Sequence, residues 1–146
     1  MTINQPFASM VAAGIVTVIP RRRNEEKPRR LAGEQLAIHA ARKLPHRDIL
    51  DTALDTFPGL KEVATRKYGL LWTLPLGAVV GVVTVDEVRD LVPDDHIGAK
   101  ALIRAGSWGL IVSGARVVAP PVECLGKQKV WDLEVLVELE VKEILR

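Results

Sequence analysis

The sequence predicts an α+β fold, a small β-barrel with helices packed at its rim. Strand-like and helix-like segments follow one another without the regular alternation that builds a doubly wound parallel sheet. Ala78–Val85 is a nearly unbroken valine run, which indicates a strand buried on both faces, as in the wall of a closed barrel. A chain of 146 residues, 48% of them hydrophobic, is long enough to form one domain, residues 1–146, with its own core.

The N-terminal part of the chain predicts one helix between strands. Pro6 suits the first turn of a helix and Gly14 suits its end, so we expect a helix from Gln5 to Ala13. The neighbouring segments contain β-branched or alternating apolar residues and are predicted to be strands: Thr2–Asn4, Ile15–Ile19 and Gln35–Ala41.

Residues 20–33 form a polar segment with six basic residues around Glu25 and Glu26, bounded by prolines and a glycine. This composition predicts an exposed loop. Residues 1–50 carry a net charge of +5, whereas residues 51–146 carry −3. The asymmetry indicates a basic face for an anionic partner, although a solvated loop without a partner has the same composition.

The central part of the chain predicts two helical pieces between Pro45 and Tyr68, split at Pro58-Gly59. One further short helix is predicted at Ile97–Arg104. Trp108–Val112 and Ala115–Ala119 are predicted to pair as a hairpin around Ser113-Gly114.

The tail, residues 133–145, fits two patterns. Leu133, Val135 and Val137 alternate as in a strand, while Val137, Val141 and Ile144 share one face of a helix. Because of the length of the segment and its Glu and Leu content, we favour a C-terminal helix.

Several classes of protein are disfavoured by composition. Cys124 is the single cysteine, so neither an internal disulfide nor a thiolate zinc site is expected. The N-terminus does not resemble a signal peptide and no apolar run reaches the length of a membrane span, so we expect a cytoplasmic protein without a membrane partner. Phosphate-binding glycine motifs and metal-ligand clusters are missing, so we expect no cofactor and no metal.

Four stretches, in order, carry a family resemblance. The first is Ile3–Ser9 with Ala13-Gly14 and Thr17, and the second is Leu36–Ala41, which contains Ile-His-Ala. The third is Leu74–Gly81, and the fourth runs from Trp108-Gly109-Leu110 through Pro120-Pro121-Val122 to Gly126-Lys127-Gln128 and Trp131. Together they resemble the ASCH family of the PUA-like superfamily.

The resemblance implies a small β-barrel with a cleft between the first helix, the loop after the second strand and the Gly126-Lys127-Gln128 segment. Members of the family are proposed to bind RNA or nucleotides there. For this chain the resemblance and the basic loop together predict a site for RNA, another single-stranded nucleic acid or a nucleotide. We expect a monomer with the following binding residues: Gln5, Ser9, Thr17, Arg21, Arg22, Arg23, Arg29, Arg30, His39, Lys127, Gln128 and Trp131.

The catalytic pattern of the amidohydrolase branch of the family is interrupted. The positions that resemble its lysine and threonine are Val16 and Ile19, and hydrocarbon side chains cannot exchange a proton. Binding is therefore favoured over catalysis. The alternative is a hydrolase acting on RNA or a modified nucleoside with His39, Lys43 or Lys127, and a third alternative is a protein-interaction module.

Two residue types also have purely structural explanations. His39 ends an apolar strand, where its ring either bonds a backbone carbonyl at the rim or contacts a ligand. The three tryptophans, Trp72, Trp108 and Trp131, lie within apolar stretches, so core packing is favoured over base stacking, with Trp131 the exception because it follows Lys127-Gln128-Lys129.

Overall fold

The fold is described from a computed structural model. It describes residues 1–44, 74–127 and 131–146, together with positions 46, 48, 51 and 55. The two helical pieces predicted between residues 45 and 68 and Trp72 lie outside the described residues, apart from the four single positions.

Five strands form one mixed sheet in the order β1-β3-β4-β5-β2. β1 pairs with β3 in parallel, and all other neighbours are antiparallel. The strands are β1 Thr2–Ile3, β2 Val18–Arg21, β3 Gln35–Ala40, β4 Ala78–Asp90 and β5 Trp108–Glu123. The helices are α1 Phe7–Ala12, α2 His96–Ala99 and α3 Val135–Leu145, and 3-10 turns occupy Arg29–Leu31 and Pro93–Asp95.

The strands β4 and β5 form the centre of the sheet. Ala78 pairs with Glu123 at one end of this ladder and Asp90 pairs with Trp108 at the other. The valine run in β4 is buried, and its side chains are divided between the two faces: Val80, Val83 and Val85 join the main core, whereas Val79 and Val82 join a second cluster. The prediction that this strand is buried on both faces is therefore confirmed.

The predicted hairpin within residues 108–119 is wrong, because β5 runs as one strand through Ser113 and Gly114. Gly114 has φ +59°. It lies where β4 advances two residues, from Val82 to Thr84, while the paired stretch of β5 spans three, from Ser113 to Arg116. An extra residue of this kind is a β-bulge, which bends a strand without reversing it. The glycine that suggested a turn therefore produces a bend.

One face of the sheet is covered by α1. Met10 and Val11 of this helix are buried against β3, β4 and β5 in the main core. A β-carbon at Gly81 would lie 2.5 Å from the Cβ atom of Ala12, so the helix approaches the strand as closely as it does only because residue 81 is glycine.

The other face is covered by α3, as the favoured alternative for the tail predicted. Val141 is buried against Val79, Val82 and Val118 of the sheet. The helix begins at Val135, two residues later than the start of the predicted segment.

The predicted loop of residues 20–33 is partly regular. Pro20 and Arg21 belong to β2, which starts only at Val18, and Arg29–Leu31 form a 3-10 turn. The strand shift has a hydrogen-bonding cause: Val18–Arg21 pairs with residues Trp108–Ile111 of β5, whereas the amides of Ile15 and Val16 both donate to the Met10 carbonyl of α1. The predicted helix at Ile97–Arg104 is replaced by His96–Ala99, which ends at Lys100 with φ +54°.

The sheet is open within the described residues, because β1 and β2 are its two edges and are not paired with each other. The α+β class is confirmed, and closure into a barrel is not. Across the same ranges, each helix is too short or too polar to span a lipid bilayer.

The contact at Gly81 yields a first prediction. Gly81→Ala should lower the free energy of unfolding by about 1–3 kcal/mol, because the added methyl forces α1 away from β4. Urea denaturation measures the effect. The double variant Gly81→Ala/Ala12→Gly should recover part of the loss, since the Cβ of Ala12 is the nearest atom; additive losses would contradict the proposed clash.

Candidate nucleic-acid interface

The two edges of the sheet face a common cavity of about 310 Å³, which we call the edge cleft. It is lined by β1, the start of α1, β2 and the segment after α2. Its lining residues are Thr2, Ile3, Asn4, Phe7, Val16, Val18, Ile19, Pro20, Arg21, Ala99 and Ala101. A cavity of this size lies at the lower end of the range for small-ligand sites.

The inner wall of the edge cleft is hydrocarbon. Val16 and Ile19 line it, and both are almost completely buried in the main core. These are the positions that resemble the lysine and threonine of the amidohydrolase branch. Their side chains contribute packing and shape at this wall, and neither can donate or accept a proton.

Arg21 is the cationic residue in the lining of the edge cleft. Its Nε donates to Glu25 Oε2 at 2.9 Å and its Nη2 lies 2.8 Å from the same oxygen. Glu25 in turn offers its backbone carbonyl to the indole Nε1–H of Trp108 at 3.0 Å. The arginine is therefore held in place at the cleft wall by a carboxylate that also belongs to the start of the basic segment.

The basic segment, residues 21–30, continues from this wall. Two of its six cations are paired: Arg21 with Glu25, and Lys27 with Asp90. The other four have no ion pair within the described part of the chain and are exposed, namely Arg22, Arg23, Arg29 and Arg30. Arg30 also lines a different cavity, described below.

Gln5 and Ser9 were predicted to line the cleft, but they are buried and bonded to protein. The Gln5 Nε2 group donates to Ser9 Oγ and to the carbonyl of Pro75, both at 2.8 Å. The Ser9 amide donates to Gln5 Oε1 at 3.1 Å. This pair joins the first turn of α1 to the segment that enters β4, a structural role that sequence alone did not distinguish from binding.

His39 lies on the face of the sheet that α3 covers, in a compact polar cluster. Its Nε2 is 3.0 Å from the carbonyl of Cys124, and its Nδ1 is 3.2 Å from Thr2 Oγ1. The Thr2 hydroxyl also donates to the carbonyl of Lys127 at 3.0 Å. A β-carbon at Gly126 would fall 2.4 Å from the imidazole Cε1, so the chain passes directly over the ring.

Among the described residues, the hydrogen-bond inventory of this cluster is one proton short when His39 is neutral. The Cys124 carbonyl can only accept, so Nε2 carries a proton, and the single Thr2 hydroxyl proton must serve both Nδ1 and the Lys127 carbonyl. A protonated ring would satisfy every group. Burial opposes that charge and lowers the pKa of His39 below its usual 6.5, more than its bond to the Cys124 carbonyl raises it.

The remaining predicted residues are distributed over the surface. Thr17 is exposed beside α2, where its amide donates to the carbonyl of Gly98 at 3.0 Å. Lys127 is exposed, and the Trp131 ring meets His39 edge-on with centroids 5.8 Å apart. Gln128 lies outside the described residues. The predicted set therefore divides between the edge cleft with its basic segment and the His39 cluster on the opposite face.

The structure adds lining residues that the sequence did not single out. Asn4 and Phe7 lie on the α1 side of the edge cleft, and Ala99 and Ala101 lie on the α2 side. A partly exposed Phe7 in the first turn of α1 was a detectable signal, because an aromatic ring at a cleft suits base stacking. The contribution of α2 was not detectable, because it depends on the path of the 17-residue connection between β4 and β5.

That connection is fixed by a bidentate ion pair. Arg89 Nη1 and Nη2 donate to the two carboxylate oxygens of Asp95, each at 2.8 Å, and the Val92 amide donates to Asp95 at 2.7 Å. These bonds lower the pKa of Asp95 to about 2, the hydrogen bond from Arg89 contributing most. The Arg89–Asp95 ion pair thus lies directly before α2, whose last residue lines the edge cleft.

Metal binding has no support in the described ranges, where no three His, Cys, Asp or Glu side chains come close enough to hold an ion. His46 and Asp48 form a pair at 3.3 Å, and both are exposed.

The fold of this chain is similar to that of solved ASCH-domain structures. A crystal structure of ASCH from Zymomonas mobilis superposes with a TM-score of 0.55, over 98% of this chain and 92% of that chain, at 12% identity. A variant of the same protein gives 0.54 over 99% and 93%, also at 12% identity. This chain has the ASCH-domain fold. No family model and no curated protein matches its sequence.

The lowered pKa of His39 yields a second prediction. As the pH falls, the unfolded chain takes up a proton at His39 near pH 6.5, before the folded chain does. The stability that the neutral ring contributes is therefore fully present above pH 6.5 and is lost as the pH falls below it. The free energy of unfolding should therefore fall between pH 7 and pH 5, and His39→Gln should remove part of that fall. Chemical denaturation across this range measures it.

The control for this prediction is Gln35→Ala, at an exposed position of the same strand, because it removes no titratable group. It should keep the fall between pH 7 and pH 5. Identical pH dependence of the wild type and His39→Gln would show that His39 titrates alike in the folded and unfolded chains.

Proposed function

We propose that this protein is a nucleic-acid-binding module that takes single-stranded RNA or a nucleotide in the edge cleft. The observation that carries the proposal is the continuity between a cleft lined by Phe7 and Arg21 and an exposed basic segment that starts at its wall. The ASCH-domain fold is consistent with such a role. A base of the ligand would bind in the edge cleft, and its phosphates would bind to the basic segment.

The lining of the edge cleft suits a base more than a charged group. Hydrocarbon from Val16 and Ile19 forms part of the wall, and the partly exposed Phe7 ring offers a π-face on which a base can stack. The Asn4 side chain can both donate and accept, which suits the edge of a base. Because Arg21 is already paired with Glu25, its positive charge is partly balanced before a ligand arrives.

The basic segment suits a phosphate backbone. Arg22, Arg23 and Arg29 are exposed and have no ion pair among the described residues, so they can bind phosphate without first breaking an ion pair with a described residue. Arginine presents a planar fork of donors that matches phosphate oxygens. Each such contact releases counterions, so affinity depends on salt.

Binding is favoured over hydrolysis by the side chains that are present. Val16 and Ile19 supply no acid or base at the cleft wall, and both nitrogens of the His39 ring already contact protein groups. Lys43 and Lys127 are exposed but lie outside the lining of the cleft. Turnover of acetylated cytidine or labelled RNA that His39→Ala abolishes would overturn this preference.

The proposal includes the finer features of the fold. We propose that the sheet coils toward a small barrel, because its two edge strands line the same cavity. We further propose that residues 1–146 act as a single domain and as a cytoplasmic monomer, with one edge cleft per molecule.

The salt dependence of RNA binding is the third prediction. Fluorescence anisotropy with a labelled single-stranded RNA should show affinity that falls steeply between 50 and 200 mM salt, roughly as expected for several phosphate contacts. Arg22→Gln/Arg23→Gln should reduce the slope of log K against log[salt] by about 1.4, since each lost contact on a single strand contributes about 0.7.

The matched control is Arg104→Gln, an exposed arginine outside the basic segment and outside the edge cleft. It should retain the wild-type slope. A flat salt response of the wild type, or no binding to RNA or single-stranded DNA at low salt, would refute the proposed function.

The cleft itself is tested by Phe7→Leu, the fourth prediction. Leucine keeps the hydrocarbon that packs on the main core but removes the π-face, so affinity should fall about 5- to 150-fold, the range for one lost base–aromatic stack. The salt slope should stay the same, because no phosphate contact is lost. Unchanged affinity would place the bound base elsewhere.

A further inference from the structure

A second cavity, of about 480 Å³, lies between α3 and the sheet, and we call it the α3 cavity. Its floor is aliphatic and is formed by Leu36, Ala37, Val82, Val141 and Leu145. Helix α3 contacts the sheet through Val141 on one side of this space, so the cavity is a gap in the second core and is separate from the edge cleft.

Charged side chains surround the mouth of the α3 cavity. The cations in its lining are Arg30, Arg116, Lys142 and Arg146, and the anions are Asp132 and Glu138. Lys142 is paired with Glu138 at 2.5 Å, and Arg146 is paired with Glu143 at 3.3 Å. The two other arginines, Arg30 and Arg116, have no ion pair within the described residues.

The two unpaired arginines come from separate parts of the fold. Arg30 belongs to the 3-10 turn before β3, whereas Arg116 belongs to β5, where it pairs with Val82 across the ladder. Regular secondary structure therefore fixes the backbone of both residues beside the same apolar floor. Two guanidinium groups beside a hydrocarbon surface provide what an amphipathic anion requires: charge pairing for its acid group and burial for its body.

We propose that the α3 cavity binds a small organic anion, with its apolar body on the aliphatic floor and its phosphate or carboxylate on Arg30 and Arg116. Asp132 is the one carboxylate of the lining without an ion pair to the described residues, and it restricts the acid group to the arginine side of the mouth. Both an acyl chain and a nucleobase can provide the body, and the experiment below separates these sources.

Trp131 contributes to the wall of this cavity and to its chemistry. Its indole Nε1 is buried and has no hydrogen-bond partner among the described residues, and its ring contacts His39 edge-on. A buried donor without an acceptor is costly, so a ligand that brings a carbonyl or ring nitrogen within reach gains more than its packing alone. This feature favours a heterocyclic body over a plain acyl chain.

The α3 cavity shares one residue, Arg30, with the basic segment and none with the lining of the edge cleft. Arg116 does not belong to the basic segment, so a variant at Arg116 tests the α3 cavity apart from the proposed RNA site. Loss of RNA binding would therefore leave the α3 cavity proposal intact, and the reverse also holds.

The fifth prediction tests it with the full chain. The fluorescent anion 8-anilinonaphthalene-1-sulfonate should bind the native protein, and adenosine monophosphate and octyl phosphate should be compared as competitors. Displacement by either that Arg116→Gln weakens supports the proposal: the nucleotide identifies a heterocyclic body, and octyl phosphate identifies an acyl body. Octanol, which lacks the charge, should displace the probe at least 10-fold less well than octyl phosphate.

The variant Arg116→Gln should weaken competitor binding about 10-fold or more, as expected for one lost charge-assisted pair, with RNA affinity unchanged. Arg104→Gln removes the same charge from an exposed position outside both cavities and should have no effect. Both substitutions are at exposed residues, so folding is preserved, and near-UV circular dichroism checks it.

Three results would overturn the proposal. They are failure of both phosphates to displace the probe, equal displacement by octanol and octyl phosphate, and equal affinities of Arg116→Gln and Arg104→Gln. A further check is Ala37→Leu, which adds hydrocarbon to the floor and should lower probe binding while near-UV circular dichroism stays native.

Discussion

The antiparallel ladder between β4 and β5 is the interaction on which the rest of the structure depends. These strands are 13 and 16 residues long, far longer than the two residues of β1 or the four of β2. They provide both faces on which the helices pack and the outer positions to which β3 and β2 attach. The bulge near Gly114 bends the ladder, and bending a long pair is what brings the distant edges of a sheet toward each other.

The sequence predicts an element well when its residue pattern is local. It does so less well when pairing with a strand remote in sequence determines where the element begins or ends. The valine run of β4 and the helical face of the tail are local patterns, and both predictions are confirmed. Continuity of β5 through Gly114 depends on pairing with β4, a contact remote in sequence, so the local turn signal was misleading. The start of β2 at Val18 depends on β5 in the same way.

The candidate site was predicted less completely than the fold. Arginine type and clustering are visible in the sequence, and Arg21 does line the edge cleft. Gln5 and His39 have the chemistry of binding residues, yet each is bonded to backbone carbonyls that only the folded chain brings near, those of Pro75 and Cys124. Polar residue type alone cannot distinguish a group that awaits a ligand from one that already has its partner.

The short strand β1 separates the two cavities of this protein. Met1 lines the α3 cavity, and the next residue, Thr2, lines the edge cleft while its hydroxyl contacts His39. The His39 ring contacts the Trp131 ring edge-on, and Trp131 lines the α3 cavity. A ligand that displaces β1 therefore alters the walls of both cavities at once. Thermodynamic linkage makes such an effect mutual: occupancy on one side changes affinity on the other by the same factor in both directions.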